Sequence, residues 1–124
     1  MPRTFSIGDV TEREWRLLDL RLHDETIALD AGTVPTLRLE SDLRISGRGP
    51  LNGFFGQIRL DDDGLLGWGP LGSTRRAGPI AEMELESSFF TALGLTERAR
   101  LDGEDLVLAS ADATTALRFG PAAD

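Results

Sequence analysis

The sequence predicts an α+β domain in which a mainly antiparallel, strongly curved, incomplete barrel-like sheet packs against one principal helix at about residues 79–94. Three observations lead to this prediction. Short stretches carry an apolar residue at every second position, which is typical of strands with one buried face. Turn-forming residues separate these stretches at short intervals. A single segment repeats its apolar residues at helical spacing.

The strands are predicted from alternation. Leu18, Leu20 and Leu22 alternate with charged residues and are expected to face the core. A hairpin is predicted to turn at residues 40–42, and a further strand to cover residues 54–60. Three more strands are predicted after the helix, at residues 98–101, 106–109 and 116–119.

The helix is predicted from its apolar stripe and its end signals. Leu85, Phe89 and Leu93 recur at helical spacing, and Met83 and Phe90 widen the stripe. Pro79 suits the first turn, where its missing N–H costs nothing. Gly94 is expected to cap the C-terminal end.

Composition indicates one soluble domain. The chain has 124 residues, so we expect a single domain over residues 1–124 with its core at about 13–119. No apolar stretch is long enough to span a bilayer, and the first residues lack the apolar region of a secretory signal. There is no cysteine. We therefore expect a cytoplasmic protein without a membrane anchor.

The charge balance bears on possible partners. The formal net charge is −8, so the chain is repelled by phosphate backbones and nucleic acid is not an expected partner. All the basic residues are arginine, and only Arg75 and Arg76 are adjacent.

Several residues occur in the order and rough spacing of a known family. They are Trp15, Asn52, Phe54 or Phe55, Gly56, Ser73, Thr74, Ala77, Pro79, Glu86 and Phe89. In this pattern the chain resembles the META domain, or HslJ-like, family over about residues 13–119. The resemblance implies one compact domain and a stress-related role without an assigned reaction.

Two positions depart from the family pattern. Leu51 and Gly78 stand where the family often has cysteines. If those cysteines pair in exported relatives, the absence of both fits a reducing compartment.

Two polar segments are candidate binding sites. The glycine-rich stretch 47–53 would form a binding loop with Asn52, or its glycines and Asn52 would supply positive φ angles and loop hydrogen bonds, which we favour. An anion site at the helix start would combine Ser73 and Thr74 with two arginines, Arg75 and Arg76. The favoured alternative is that Ser73 and Thr74 close a loop while the arginines pair with surface carboxylates.

The aromatic residues would line an apolar pocket or fill the core. The second interpretation is the commoner one for such residues. Phe54 and Phe55 cannot both face inward on a regular strand, so one of them is a candidate for an interaction surface. The aromatic candidates are Trp15, Trp68, Phe54, Phe55, Phe89 and Phe90.

No catalytic or metal-binding set is visible. His23 is the sole histidine and is expected in an exposed loop, and residues 61–64 are expected to form a hairpin turn rather than a calcium loop. We expect no enzyme activity, no cofactor and no metal. The leading hypothesis is a non-enzymatic protein-interaction or stress-related module. The alternative is a carrier of a small apolar ligand, with a pocket in the curved sheet near Trp15, Trp68 and Phe89.

Overall fold

The computed structural model describes residues 6–30 and 32–122. The chain begins with a short 3-10 helix and then alternates strands with a single long helix. In chain order the elements are the 3-10 helix Ile7–Asp9, strands β1 Arg13–Leu22, β2 Glu25–Thr26, β3 Thr36–Leu39, β4 Arg44–Arg48, β5 Gly53–Leu60 and β6 Leu66–Ser73, helix α1 Ile80–Leu95, and strands β7 Arg98–Asp102, β8 Asp105–Ala109 and β9 Ala116–Pro121.

The described strands form one antiparallel sheet. Its order is β6-β5-β4-β3-β1-β9-β8-β7, with β2 added beside β1. The two edges approach each other where β6 begins: the Leu66 N–H donates to the Glu97 carbonyl at 2.9 Å, and the Ala99 N–H to the Gly64 carbonyl at 2.8 Å. Beyond this contact β6, which contains Pro70, pairs with β5 alone within the described chain. The predicted incomplete barrel of the α+β class is therefore confirmed.

Helix α1 packs on the inner side of this sheet. Leu85, Phe89 and Leu93 are buried, as the helical stripe predicts. The ring of Phe54 on β5 lies 5.8 Å from that of Phe89 and 5.5 Å from that of Phe90, both edge to face. This geometry suits the ring quadrupoles, so the aromatic cluster joins the helix to the sheet.

The tryptophan of β1 fixes the start of the domain to the barrel. Trp15 is fully buried, and its Nε1 donates to the carbonyl of Val10 at 3.0 Å. Val10 itself is buried. Because a buried indole N–H needs an acceptor, this bond holds the segment before β1 against the core.

Three predictions, two about which side chains face the core and one about the helix end, were wrong. Leu18 is 52% exposed, because the pairing of β1 with β9 shifts between Leu17 and Asp19 and this bulge reverses the alternation. Met83 lies on the exposed side of α1. Gly94 lies within the helix, and Thr96 is the C-cap residue.

The glycine-rich stretch is largely strand. Gly47 and Arg48 belong to β4, and Gly53 begins β5, so the connecting loop is shorter than predicted. The hairpin predicted at residues 40–42 is confirmed by the pairing of β3 with β4. Among the described residues, no helix is long and apolar enough to cross a membrane.

Asp112 closes the turn between β8 and β9. Its Oδ1 accepts hydrogen bonds from the Ser110 hydroxyl at 2.8 Å and from the hydroxyl and N–H of Thr114 at 2.9 and 3.1 Å. These bonds, the one from Ser110 foremost, hold the pKa of Asp112 below its usual value.

A lowered carboxyl pKa makes this turn sensitive to acid. The stabilisation is complete above the unfolded-state pKa of about 4 and is lost as the pH falls through the folded-state pKa. Urea unfolding of D112N and wild type should therefore differ most near neutral pH, and the difference should shrink below about pH 4. A difference that stays constant into the acid range would contradict this assignment.

Candidate functional site

A buried carboxylate organises the end of the sheet where α1 begins. Glu86 of α1 is 7% exposed, and its Oε2 accepts hydrogen bonds from the N–H groups of Leu51 at 2.8 Å and Asn52 at 2.7 Å. Its Oε1 accepts a bond from the Asn52 side-chain amide at 2.6 Å. Bonds to a charged acceptor are stronger than neutral ones, so these three fix the β4–β5 loop to the helix.

Asn52 extends this network to the segment before the helix. Its Oδ1 accepts bonds from the Thr74 hydroxyl at 2.9 Å and the Arg76 N–H at 2.6 Å. Its Nδ2 also donates to the Arg76 carbonyl at 3.1 Å. The Thr74 hydroxyl in turn accepts a bond from the Gly53 N–H at 3.1 Å. We call Asn52, Thr74 and Glu86 the polar hub.

The glycines beside the hub allow close approach. A Cβ on Gly49 would lie 2.7 Å from Oε2 of Glu86, and one on Gly47 would lie 2.6 Å from the ring of Phe54. Neither has a positive φ, so the expectation that these glycines supply positive φ angles was wrong. The loop hydrogen bonds expected of Asn52 are confirmed.

The two positions where the family often has cysteines are in contact. A Cβ built on Gly78 would lie 2.6 Å from Cδ2 of Leu51. The leucine side chain therefore occupies the space that a larger residue at position 78 would need. This pair joins the β4–β5 loop to the segment before α1 by packing.

Adjacent phenylalanines of β5 face opposite ways. Phe54 is 3% exposed, whereas Phe55 is 60% exposed on the outer face of the sheet. The ring of Phe55 lies across its cross-strand partner Gly72, where a Cβ would come within 2.7 Å of it. Because Gly72 has no side chain, the outer atoms of the ring come close to the main chain of β6.

An open groove of about 600 Å³ runs beside Phe55 on this outer face. Its lining includes Gly56 and Pro70 together with the polar residues Glu40, Arg44 and Gln57. The inside of the barrel differs: the cavity bounded by Trp68 and core residues of the neighbouring strands measures about 20 Å³. Ligand pockets generally span about 300–1,000 Å³, so this cavity is too small for a small-molecule ligand.

The remaining candidate residues hold structure together. Trp68 is half-buried, and its Nε1 donates to both the carbonyl and the hydroxyl of Thr96 at 3.1 and 3.0 Å. Ser73 ends β6 opposite Phe54 and is exposed. Thr74 closes the loop through the polar hub, as expected.

Arg75 and Arg76 do not behave as expected. Both are exposed, and neither side chain forms an ion pair or hydrogen bond with a described residue. The expectation that they pair with surface carboxylates was therefore wrong. The main chain of Arg76 is nevertheless held at both its N–H and its carbonyl by Asn52.

His23 lies in the exposed turn after β1, where its main-chain φ is 49°. Within residues 6–30 and 32–122, no group of His, Asp or Glu side chains is arranged to hold a metal ion. At residues 61–64, Asp61 accepts bonds from the N–H groups of Asp63 and Leu65, as befits the predicted hairpin turn.

Sequence reasoning missed the part played by Glu86. The sequence places Glu86 among the residues of the family pattern but indicates no partner for it. Its signal was its position three residues before Phe89, which places a carboxylate on the buried stripe. A charge there needs partners, and the loop around Asn52 supplies them.

The chain belongs to the META domain family, because the META domain model matches residues 8–123. The polar hub and the contact between Leu51 and Gly78 give the residues of the family pattern a structural meaning. They hold the β4–β5 loop and the segment before α1 to the helix.

Solved structures share this fold. A protein from Burkholderia xenovorans, solved by NMR, is 23% identical with a TM-score of 0.78, over 100% of this chain and 93% of that one. A DUF4847 family protein from Bacteroides vulgatus, known from a crystal structure, is 13% identical with a TM-score of 0.64, over 90% of this chain and 93% of that one. These identities establish the fold alone. No curated protein sequence matches this chain significantly.

Replacing Glu86 by glutamine tests the polar hub. In E86Q the side-chain NH₂ group would face an N–H donor where the wild type has a carboxylate oxygen, so a hydrogen bond would be lost. E86Q should therefore lower the free energy of unfolding by about 1–3 kcal/mol. It should also speed hydrogen exchange at the N–H groups of Leu51 and Asn52. Glu84 lies two residues earlier in the same helix and is exposed, so E84Q should change the free energy of unfolding by less than about 0.5 kcal/mol. Equal unfolding midpoints for the two variants in urea would refute the assignment.

The contact between Leu51 and Gly78 predicts a disulfide in the double variant L51C/G78C. Removing the leucine side chain frees the space beside position 78, whose φ is not in the left-handed region. Oxidation should raise the free energy of unfolding by about 2–4 kcal/mol relative to the reduced form. Mass spectrometry with thiol labelling checks the bond, and L51S/G78S serves as a control that cannot form it. Free thiols after mild oxidation would show that the two positions diverge.

Proposed function

We propose that this META domain is a non-enzymatic module that binds a protein partner through the outer face of its sheet around Phe55. The observation that carries the proposal is a phenylalanine that is 60% exposed and whose ring lies over Gly72 of the neighbouring strand. Aromatic side chains with a fixed orientation lose little entropy on binding and are common at the centre of protein interfaces.

The surroundings of Phe55 support this use. The adjacent groove is lined by Pro70 and Gly56 and by the polar residues Glu40, Arg44 and Gln57. An apolar centre with a polar rim is the usual composition of a protein interface. The packed interior weighs against the alternative of an apolar-ligand carrier, because the cavity near Trp68 is about 20 Å³.

The proposal assigns no reaction to the domain. Among the described residues Glu86 is the buried carboxylate, and three hydrogen bonds from the protein occupy its oxygens. A general acid or base must reach a substrate atom, which Glu86 does not. The net charge of −8 supports a protein partner over nucleic acid.

The proposal also places the domain in the cytoplasm, with the stress-related role that the family suggests. Support for the location comes from the contact of Leu51 with Gly78, where packing takes the place of the cysteines that the family often has. A disulfide at this site would not persist in a reducing compartment.

Replacing Phe55 by alanine tests the proposed interface. F55A should change the free energy of unfolding by less than about 1 kcal/mol, because the ring is largely exposed. F54A should cost about 3–5 kcal/mol, because that ring fills the contact with Phe89 and Phe90. Wild-type protein isolated gently from its host and analysed by native mass spectrometry should carry a partner at defined stoichiometry, and F55A should lose it.

Leu18 provides the matched control. It is also a large apolar residue on the outer face, 52% exposed and lying against Gly120, but it lies on β1. L18A should keep the partner. Loss of the partner in both L18A and F55A would indicate nonspecific association through exposed apolar side chains. Retention of the partner in F55A would show that Phe55 is not part of the interface. A small constant mass excess, instead of a protein partner, would favour the carrier.

A further inference from the structure

The arginines that the structure describes fall into three groups, one of which, Arg13 and Arg21, donates to main-chain carbonyl groups. Some are paired with carboxylates, as Arg118 is with Asp102 and Asp105 at 2.9 and 2.7 Å. Others make no side-chain hydrogen bond or ion pair with a described residue. These unpaired arginines are Arg16, Arg48, Arg59, Arg75, Arg76 and Arg98.

Strand register places two of the unpaired arginines along one line. Arg16 of β1 lies opposite Thr36 of β3, Thr36 lies opposite Arg48 of β4, and Arg48 lies opposite Gly53 of β5. Residues directly opposite in an antiparallel sheet share a face, and both arginines are exposed, so this is the outer face.

The line continues into the segment before α1. The Thr74 N–H donates to the Gly53 carbonyl at 3.1 Å, which brings the two following residues, Arg75 and Arg76, to the end of the line. We call Arg16, Arg48, Arg75 and Arg76 the arginine row. Thr36 carries a side chain between Arg16 and Arg48, whereas the row is open at Gly53, where a Cβ would meet nothing closer than a main-chain oxygen at 3.6 Å.

The arginine row stands on rigid main chain. Arg16 and Arg48 belong to paired strands, and the main chain of Arg76 is held on both sides by Asn52 of the polar hub. Main chain that is ordered before binding lowers the entropy lost on association. The hub thus acts as a positioning element for part of the row.

The row also adjoins the proposed interface. Phe55 is two residues from Gly53 on β5, so both point to the outer face. Arg38 lies in register with Phe55 across Ser46 of β4. Its guanidinium group is already paired with Glu40 at 3.2 Å and with Glu12 at 3.9 Å. The outer face therefore presents an exposed ring beside guanidinium groups that have no carboxylate of their own.

We propose that the arginine row binds an acidic, extended segment of a partner protein, with Phe55 contacting an apolar side chain of that segment. This inference rests on the proposed function. Its support is charge complementarity: unpaired arginines are gathered on one line in a chain of net charge −8. Guanidinium groups bind carboxylates in a bidentate manner, and a short segment contacts the row without reaching the acidic remainder of the surface.

The test uses short random peptides displayed on phage and selected against the immobilised whole protein. The selected sequences should be rich in Asp and Glu around an apolar residue. A fluorescently labelled peptide from this selection should then bind R16E/R48E at least about tenfold more weakly than wild type. Its affinity should also fall with rising salt concentration.

A second double variant is the matched control. R59E/R98E makes the same change in net charge at two other unpaired arginines that lie away from the row. It should weaken the peptide by less than about twofold, because such distant charges are screened. Circular dichroism and urea unfolding show whether each variant is folded. If R16E/R48E does not fold, R16Q/R48Q takes its place in the binding measurement.

Several outcomes overturn the inference. Neutral or basic peptides from the selection, or no peptides at all, would do so. Equal weakening of binding by R59E/R98E and R16E/R48E would do so too. The proposed class of partner would be wrong if single-stranded oligonucleotides or anionic vesicles bound through the arginine row more tightly than the peptide does. Self-association in sedimentation that R16E/R48E abolishes would make the partner a second copy.

The F55A variant separates this inference from the proposed function. If F55A loses the selected peptide while R16E/R48E keeps it, the interface around Phe55 stands and the arginine row does not. If both variants keep the peptide, both proposals fail. Loss in both, with retention in R59E/R98E, is the result that the structure predicts.

Discussion

The arrangement of the β4–β5 loop and of the segment before α1 depends on the hydrogen bonds of the Glu86 carboxylate. It lies in the interior, where a charge is costly without partners, and it is satisfied by Leu51 and Asn52 from a loop far away in sequence. Asn52 then distributes this constraint to Thr74 and Arg76. One helix residue thereby sets the relative positions of two connecting segments that have little regular structure of their own.

The sheet contributes a different kind of order. Bulges near Leu17 and Gln57 break its regular alternation and increase its twist, which helps the ends of β6 and β7 to meet. The aromatic contact of Phe54 with Phe89 fills the inside of the resulting curve. Curvature thus leaves little space within the barrel and turns the outer face into the accessible surface. This is why the case for binding concerns Phe55 and its neighbours rather than the core.

Local periodicity was enough to predict the fold class, the helix stripe through Phe89 and the opposite facing of Phe54 and Phe55. Leu18 was misplaced because a bulge depends on the partner strand, which alternation within one strand does not show. The partners of Glu86 and the alignment of Arg16 with Arg48 were also out of reach. Both depend on which distant segments lie side by side, and no short-range pattern encodes that pairing.

Pro70 has a consequence for the protein at high concentration. The strand that contains it is an edge of the sheet, and open edges invite other strands to add and extend into aggregates. Prolines are among the residues that make an edge strand a poorer template for a further strand, and Pro70 stands in the middle of β6. This edge therefore carries its own protection against amyloid-like polymerisation, independent of any partner that binds the face.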